Sequence, residues 1–176
     1  FALGQEPNNQ QNEKFILMTI HRREKTDHDF IKLQEIVRRH PKKKFVFIEH
    51  PNPDLRKKVD LYLRSLANLQ VIPPQSYFAC AKLVKSAQVI LTDSGGMQEE
   101  ASLLQKPLII FRSKTEREIY RDHSLLSMDV ELIDQSIDKF FSLKIERKAK
   151  CSDGQKNLSP STFVESALMG AFQCMI

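Results

Sequence analysis

The segment VILTDSGGMQEEASLLQKPLIIF, residues 89–111, contains two apolar runs that are separated by a polar turn and a helical stretch. VILT (89–92) and PLIIF (107–111) are short and continuously apolar, which is typical of strands buried on both faces of a parallel sheet. MQEEASLL (97–104) between them indicates a helix. We therefore predict a strand–helix–strand unit in which the turn at 93–96 stands at the carboxyl end of the first strand.

The same alternation of apolar runs and helical patterns continues through most of the chain. Strands are predicted at 15–20, 44–49, 69–72, 89–92 and 107–111, with a weaker one at 130–133 after a short helical piece, and helices at 27–40, 53–67, 76–87 and 97–104. This pattern indicates a parallel sheet covered by helices on both faces. We predict an α/β fold, a Rossmann-like doubly wound parallel sheet, over residues 15–145, followed by a loop and a terminal helix at 146–176.

The composition excludes several classes of protein. The chain has 176 residues, of which 41% are hydrophobic and 28% charged, and this suits one globular domain. No apolar run approaches the ~20 residues of a membrane span, and the first residues lack the basic start and apolar core of a signal peptide. Because the chain starts with Phe1 rather than Met, we expect a segment of a longer protein or a processed form.

Cysteine and histidine usage indicates neither a disulfide framework nor a metal site. The three cysteines are odd in number and form no CxxC pair, and the five histidines form no HxxxH pair. We therefore expect no metal and a reducing, cytoplasmic compartment. His28, His40 and His123 are predicted to face solvent.

The net charge of +5 raises nucleic acid as a possible partner. Basic residues cluster at 21–25, 38–44, 56–58 and 146–150. These clusters are dispersed, most of them suit solvated helix faces and helix C-termini, and aromatic residues for base stacking are few. We predict no nucleic-acid partner.

Polar residues follow the predicted strands, where ligands bind in a doubly wound sheet. Gly95 and Gly96 allow the backbone to approach a ligand and to adopt positive φ. The free N–H groups of the helix that follows, together with the Ser94 hydroxyl, would form an anion site whose common occupant is phosphate. The alternative is a plain turn whose nearby acids favour a helix N-terminus.

Glu100 stands one turn into the same helix, where a phosphate would repel it but the adjacent hydroxyls of a ribose would suit it. A phosphate and a ribose together describe a nucleotide. His21 and Arg22 follow the first strand at the same edge, where an imidazole and a guanidinium can hold a diphosphate and stabilise the charge it gains on leaving. The alternative for these two residues is a surface basic cluster.

Three blocks of sequence resemble one enzyme family: TIHRREK (19–25), EHPNP (49–53) and LTDSGGMQEEASLLQKPLIIFRSKTERE (91–118). They are similar to the carboxyl-terminal domain of the non-hydrolysing UDP-N-acetylglucosamine 2-epimerases, over residues 14–118. The resemblance implies one half of a GT-B-type enzyme with two Rossmann-like domains and a cleft between them. It also implies interconversion of UDP-GlcNAc and UDP-ManNAc by elimination and re-addition of UDP, without metal or cofactor, in cell-surface polysaccharide biosynthesis.

The resemblance assigns a role to each candidate residue. It implies that His21 is catalytic, near the diphosphate and the reacting sugar, and that His50 helps to bind a second, regulatory UDP-GlcNAc. Contacts to UDP are implied for Arg22, Ser94, Gly95, Gly96, Glu100 and Arg117.

The chain departs from the family pattern at two positions. Glu118 replaces a proline, and Cys80 replaces an aromatic residue that can pack on uracil, so we expect a less rigid loop and weaker binding of the base. The catalytic carboxylates of the family lie in its amino-terminal domain. We therefore expect residues 1–14 to be a linker from a missing domain, the isolated chain to show little or no turnover, and the full protein to be a homodimer.

Two other functions stay open at the level of sequence. The domain would serve equally in a GT-B glycosyltransferase, which transfers the sugar to an acceptor. It would also serve as a non-catalytic module that binds a nucleotide sugar.

Overall fold

The computed structural model describes residues 13–116 and 123–143. Within them the chain forms, in order, β1 (Phe15–Thr19), α1 (Asp27–Arg39), β2 (Lys44–Ile48), α2 (Pro53–Tyr62), β3 (Leu69–Ile72), α3 (Tyr77–Ser86), β4 (Val89–Thr92), α4 (Gly95–Leu103), β5 (Leu108–Ile110), β6 (Ser124–Leu126) and α5 (Val130–Ser142). The predicted loop and helix at 146–176 and most of the predicted linker at 1–14 lie outside the described residues. No described helix has the length and apolar character needed to cross a membrane.

The six strands form one parallel sheet in the order β3-β2-β1-β4-β5-β6. The direction of the strand order reverses between β1 and β4, so the loops that follow these two strands flank a crevice at the carboxyl edge. This arrangement confirms the predicted Rossmann-like doubly wound sheet. It also identifies which two loops can contact the same ligand.

The sheet is covered by helices on both faces, which is why its central strands are apolar throughout. On one face α3 and α4 pack through Val84, Met97 and Ala101 against alternate residues of the strands, such as Leu17 and Ile90. On the other face, α2 and α5 each pack against α1. Burial on both faces holds the strand ends, and hence the loops at the carboxyl edge, in fixed positions.

The prediction of a strand at 130–133 is wrong. Residues 130–142 form the helix α5, and the last strand, β6, lies earlier at 124–126. Ile133, Ile137 and Phe140 are buried along one side of α5, at helical spacing. A short apolar run does not distinguish a strand from a helix, and the stripe becomes evident only over the longer segment.

The helix α2 ends at Tyr62, five residues before its predicted end at 67. The chain continues in tight turns, in which the N–H of Leu66 donates to Leu63 O at 3.1 Å. Both leucines stay buried. The apolar spacing that suggested a longer helix therefore predicts correctly which residues are buried, but it does not predict that the backbone changes from helix to turns.

His40 is buried, contrary to the prediction that it faces solvent; its exposed fraction is 5%. It lies at the end of α1, where α5 covers it: its Nε2 is 3.0 Å from Asp134 Oδ1. The neighbouring Lys43 donates to Asp138 at 2.6 Å. Burial, and secondly the charge of Lys43, lower the pKa of His40. The run of basic residues around it suggested a free surface, but the acidic side of α5 packs on that surface.

Lys25 fixes the loop between β1 and α1. Its exposed fraction is 5%, its Nζ donates to Phe111 O at 2.7 Å, and the same atom lies 4.3 Å from the centroid of the Phe111 ring. Burial lowers the pKa of this amine. The contact joins the loop after β1 to the end of β5, across β4.

We expect Lys25→Ala to lower the free energy of unfolding by about 2 kcal/mol, because a buried carbonyl loses its donor and the aliphatic stem loses its packing. Urea denaturation measures the change. Lys57→Ala is the matched control, since Lys57 lies exposed on α2 with only a surface ion pair at 3.9 Å, and its loss should change stability by less than about 0.5 kcal/mol. Equal effects of the two substitutions would contradict the anchoring role of Lys25.

Candidate functional site

The loops after β1 and β4 are joined by buried polar contacts at the crevice. Thr19 and Thr92, which are paired in the register of the two strands, share a hydrogen bond between their hydroxyls at 2.7 Å. Asp93 follows β4 and is fully buried. Its two carboxylate oxygens accept the backbone N–H groups of His21 at 2.8 Å and of Arg22 at 3.1 Å. The structure therefore brings together the two motifs that sequence analysis selected separately.

The helix α4 begins with the glycine pair, and Ser94 is its N-cap. The Ser94 hydroxyl accepts the N–H of Met97 at 3.5 Å, and the first intrahelical bond runs from the N–H of Gln98 to Ser94 O at 3.1 Å. The N–H groups of Gly95 and Gly96 precede that bond and stand at the positive end of the helix dipole. This is the geometry of an anion site.

The expectation that these glycines adopt positive φ is wrong, because neither does so. The helix starts at Gly95, two residues earlier than predicted, so both glycines take helical backbone angles. The two glycines contribute to the site through their lack of a side chain. Without a Cβ, the first turn of α4 lets a ligand approach the backbone closely.

His21 and His50 lie side by side at the carboxyl edge, with ring centroids 5.1 Å apart. The Nδ1 of His50 accepts the N–H of Asn52 at 3.1 Å, which leaves its Nε2 as the hydrogen-bond donor in the neutral ring. The His21 side chain is accessible, but partial desolvation by its surroundings lowers its pKa, Asp93 raises it and His50 lowers it, with a net decrease from 6.5. The lowered pKa favours the neutral form of the His21 imidazole, which can accept a proton.

Arg22 reaches the crevice through its backbone, whereas its guanidinium forms an exposed ion pair with Glu24 at 2.8 Å. Surface pairs of this kind contribute about 0–1 kcal/mol, so the guanidinium can exchange this carboxylate for another anion at little cost. Arg117 and Glu118 lie outside the described residues.

Glu100 lies on the side of α4 that faces α3. Its Oε2 is buried and has no hydrogen-bond partner within the described parts of the chain. Burial, and secondly the charge of Glu99, raise the pKa of this carboxyl. Burial and then the charge of Glu100 raise the pKa of Tyr77, and the same two causes raise that of Cys80 to about 11. A buried oxygen without a donor is costly, and a ligand hydroxyl in this place would remove that cost.

Gln98 is a second polar residue of α4 that sequence analysis did not select. Its exposed fraction is 2%, and its Oε1 accepts the hydroxyl of Thr115 at 2.8 Å. Two helical positions correspond to about 200°, so Gln98 and Glu100 point to opposite sides of α4. Through Thr115, which lies two residues before Arg117, Gln98 holds the loop after β5. A polar residue in the first turn of a helix is too common in sequences to mark this role.

Asp93 is the other residue that sequence analysis did not include among the site residues, although the turn that contains it was recognised. An acid directly after an apolar strand, at the predicted binding edge, is the signal that would have selected it. No cluster of three or more histidine, cysteine or acidic side chains suited to a metal occurs in residues 13–116 and 123–143.

Comparison with known proteins identifies the family of the chain. The family model described as UDP-N-acetylglucosamine 2-epimerase matches residues 3–160. The UDP-N-acetylglucosamine 2-epimerase of Yersinia pestis is 43% identical over 110 residues, which are 60% of this chain and 29% of that protein. The chain thus matches about a third of the length of such relatives.

Solved structures place the fold in the same group. The UDP-GlcNAc 2-epimerase of Neisseria meningitidis, solved bound to UDP-GlcNAc, superposes with a TM-score of 0.63 and 33% identity over 77% of this chain and 40% of that one. A heptosyltransferase of Escherichia coli superposes with a TM-score of 0.57 over 75% of this chain and 45% of that one. At 12% identity it shows the fold alone. The fold is that of one half of a GT-B-type enzyme, and the chain belongs to the UDP-N-acetylglucosamine 2-epimerase family.

Proposed function

We propose that this chain is the UDP-binding half of an enzyme that interconverts UDP-GlcNAc and UDP-ManNAc. The observation that carries the proposal is the juxtaposition at the crevice. Asp93 holds the His21 loop against the start of α4. The same helix carries N–H groups in its first turn and a carboxylate oxygen of Glu100 that has no partner in residues 13–116 and 123–143. The N. meningitidis relative solved with UDP-GlcNAc supports this choice of ligand.

Each part of the nucleotide then has a place on α4 or beside it. The diphosphate accepts hydrogen bonds from the N–H groups of Gly95 and Gly96, with the Ser94 hydroxyl next to them. The ribose hydroxyls donate to Glu100, one turn further along the helix. The uracil lies toward α3, where Cys80 offers less stacking surface than an aromatic ring would, so the base contributes less to affinity.

The proposed reaction breaks the bond between C1 of the sugar and the β-phosphate oxygen, and UDP leaves with that electron pair while C2 loses its proton. UDP then returns to C1, and a proton returns to the opposite face of C2. The charge on the departing oxygen is stabilised by the α4 N–H groups and by His21, either protonated or through its ring N–H. We assign the base and acid at C2 to carboxylates outside this chain, in the amino-terminal half of the enzyme.

The assembly and setting of the protein are further parts of the proposal. The family resemblance leads us to propose a cytoplasmic homodimer that acts in cell-surface polysaccharide biosynthesis. In that assembly His50, adjacent to His21, helps to bind a second UDP-GlcNAc that regulates the enzyme. Arg117 approaches UDP from the loop after β5, which Gln98 holds through Thr115.

We expect UDP to bind this chain, and we expect Glu100→Ala and Ser94→Ala each to weaken binding by about tenfold, or about 1.4 kcal/mol. Isothermal titration calorimetry measures the affinities. Glu99→Gln and Ser102→Ala are the controls, because they alter the exposed neighbouring acid and a serine in the last turn of α4. The proposed site would be wrong if the control variants lost as much affinity as the site variants.

UDP binding should take up protons below neutral pH. The pKa of His21 in the free chain is lowered from 6.5, and a bound diphosphate raises it. The affinity for UDP therefore increases as the pH falls from the pKa of His21 in the complex toward its pKa in the free chain. Calorimetry in buffers of different ionisation enthalpy counts the protons. In the His21→Gln variant UDP itself still titrates, but the additional proton uptake that comes from His21 should be lost. An unchanged number of protons taken up by this variant would exclude His21 as the group that is protonated on binding.

The isolated chain should not interconvert UDP-GlcNAc and UDP-ManNAc, because the groups assigned to the proton at C2 lie outside it. Incubation with UDP-GlcNAc in D₂O, followed by NMR, detects both the epimer and exchange at C2. Turnover by the isolated chain would contradict its assignment as a half-site. Transfer of the sugar to an acceptor, without epimer, would instead indicate a glycosyltransferase.

A further inference from the structure

We propose that Asp93 is a positioning residue, a fixed internal anion that holds the turn after β1 and thereby aims the His21 imidazole at the start of α4. The inference rests on the proposed function only in taking His21 as the group that faces the ligand. It concerns a residue that is fully buried and acts through the backbone of its neighbours.

The contact between Asp93 and the turn after β1 uses both oxygens of the carboxylate. Two successive N–H groups, of His21 and Arg22, converge on the two oxygens of one carboxylate, at 2.8 and 3.1 Å. Such a pair of backbone donors forms a concavity that commonly binds a phosphate or another external anion. Here Asp93 occupies it permanently. A diphosphate is therefore directed to the remaining donors, at Gly95 and Gly96, and reaches the β1 loop only through side chains.

The loop after β1 is fixed at both ends. Asp93 holds its beginning, and Lys25 holds its end through Phe111 O at 2.7 Å. The charge of Asp93 acts on both ends, since it raises the pKa of His21 and that of Lys25 against the larger effect of desolvation. The backbone of His21 is thus held in place while its ring stays accessible at the crevice.

Thr19 provides a matched control for this role. Its hydroxyl is buried and shares a hydrogen bond with Thr92 on the same pair of strands, two residues before His21. Thr19→Val removes this bond but keeps the Asp93 carboxylate and the two N–H groups that it accepts, and Thr92 keeps the bond from the N–H of Ser94 at 3.0 Å. A general structural effect and a positioning effect can therefore be separated by comparing Asp93→Asn with Thr19→Val.

The experiment follows the His21 ring by NMR titration in this chain and measures UDP affinity in the same samples. In Asp93→Asn the pKa of His21 should fall further, because the carboxylate that raises it is removed while desolvation and His50 remain. The dissociation constant for UDP should rise on the order of tenfold, since the ring loses its orientation. Thr19→Val should lower the urea midpoint but leave both readouts unchanged.

An unchanged His21 titration in Asp93→Asn, or the same change in Thr19→Val, overturns the proposal. If Asp93→Asn fails to fold, hydrogen exchange in the unmodified chain decides: slow exchange at the His21 and Arg22 amides is expected, and fast exchange at both overturns the proposal. A chain that binds no UDP contradicts the proposed function, whereas the His21 titration and the exchange rates still decide the role of Asp93.

Discussion

The carboxylate of Asp93 is the contact on which the crevice depends. The strand order places β1 beside β4, but adjacency of strands does not determine the course of the loops that leave them. A buried acid that accepts two N–H groups from the facing loop supplies that constraint. Since an unpaired carboxylate at full burial is strongly unfavourable, the β1 loop cannot leave Asp93 without a large loss of stability. Chain topology and local electrostatics thus determine the same geometry.

Buried charge in this fold is concentrated near the carboxyl edge of the sheet. Asp93 after β4, Glu49 after β2 and Lys25 after β1 are all buried, and each is satisfied by a different kind of partner. Asp93 takes backbone N–H groups, Lys25 takes a carbonyl and an aromatic face, and Glu49 pairs with Arg56 at 3.4 Å and with Arg64. The strands themselves are almost wholly apolar. The sheet is therefore a rigid support whose polar chemistry begins where the strands end.

Sequence patterns predicted the sheet well and the site only in part, and particular residues explain the difference. Continuous apolar runs identified β1 to β5, because burial on both faces leaves little alternative composition. The strand predicted at 130–133 failed because four positions, three of them apolar, do not reveal the helical stripe of α5. Gln98 was not selected as a site residue because its role depends on a contact that adjacent sequence does not show. Asp93 was not selected although its position directly after an apolar strand marked it, and its partners are equally hidden in the sequence. Asp93 meets residues about 70 positions away, and Gln98 meets the loop after β5. His40 was misjudged for the same reason, since α5, which covers it, lies far along the chain.

The opposite orientations of Gln98 and Glu100 on α4 limit which changes in length this chain can tolerate. One inserted residue between Gly96 and Glu100 would rotate the glutamate by about 100° and move it away from α3, and a deletion would do so in the other sense. Loss or gain of residues after Leu104 would leave both side chains in register with the helix start. In the proposed site, the number of residues between the glycine pair and the glutamate therefore sets the distance between the groups that would bind the diphosphate and the ribose. Variation in length should accumulate in the connection from α4 to β5, where no such spacing has to be kept.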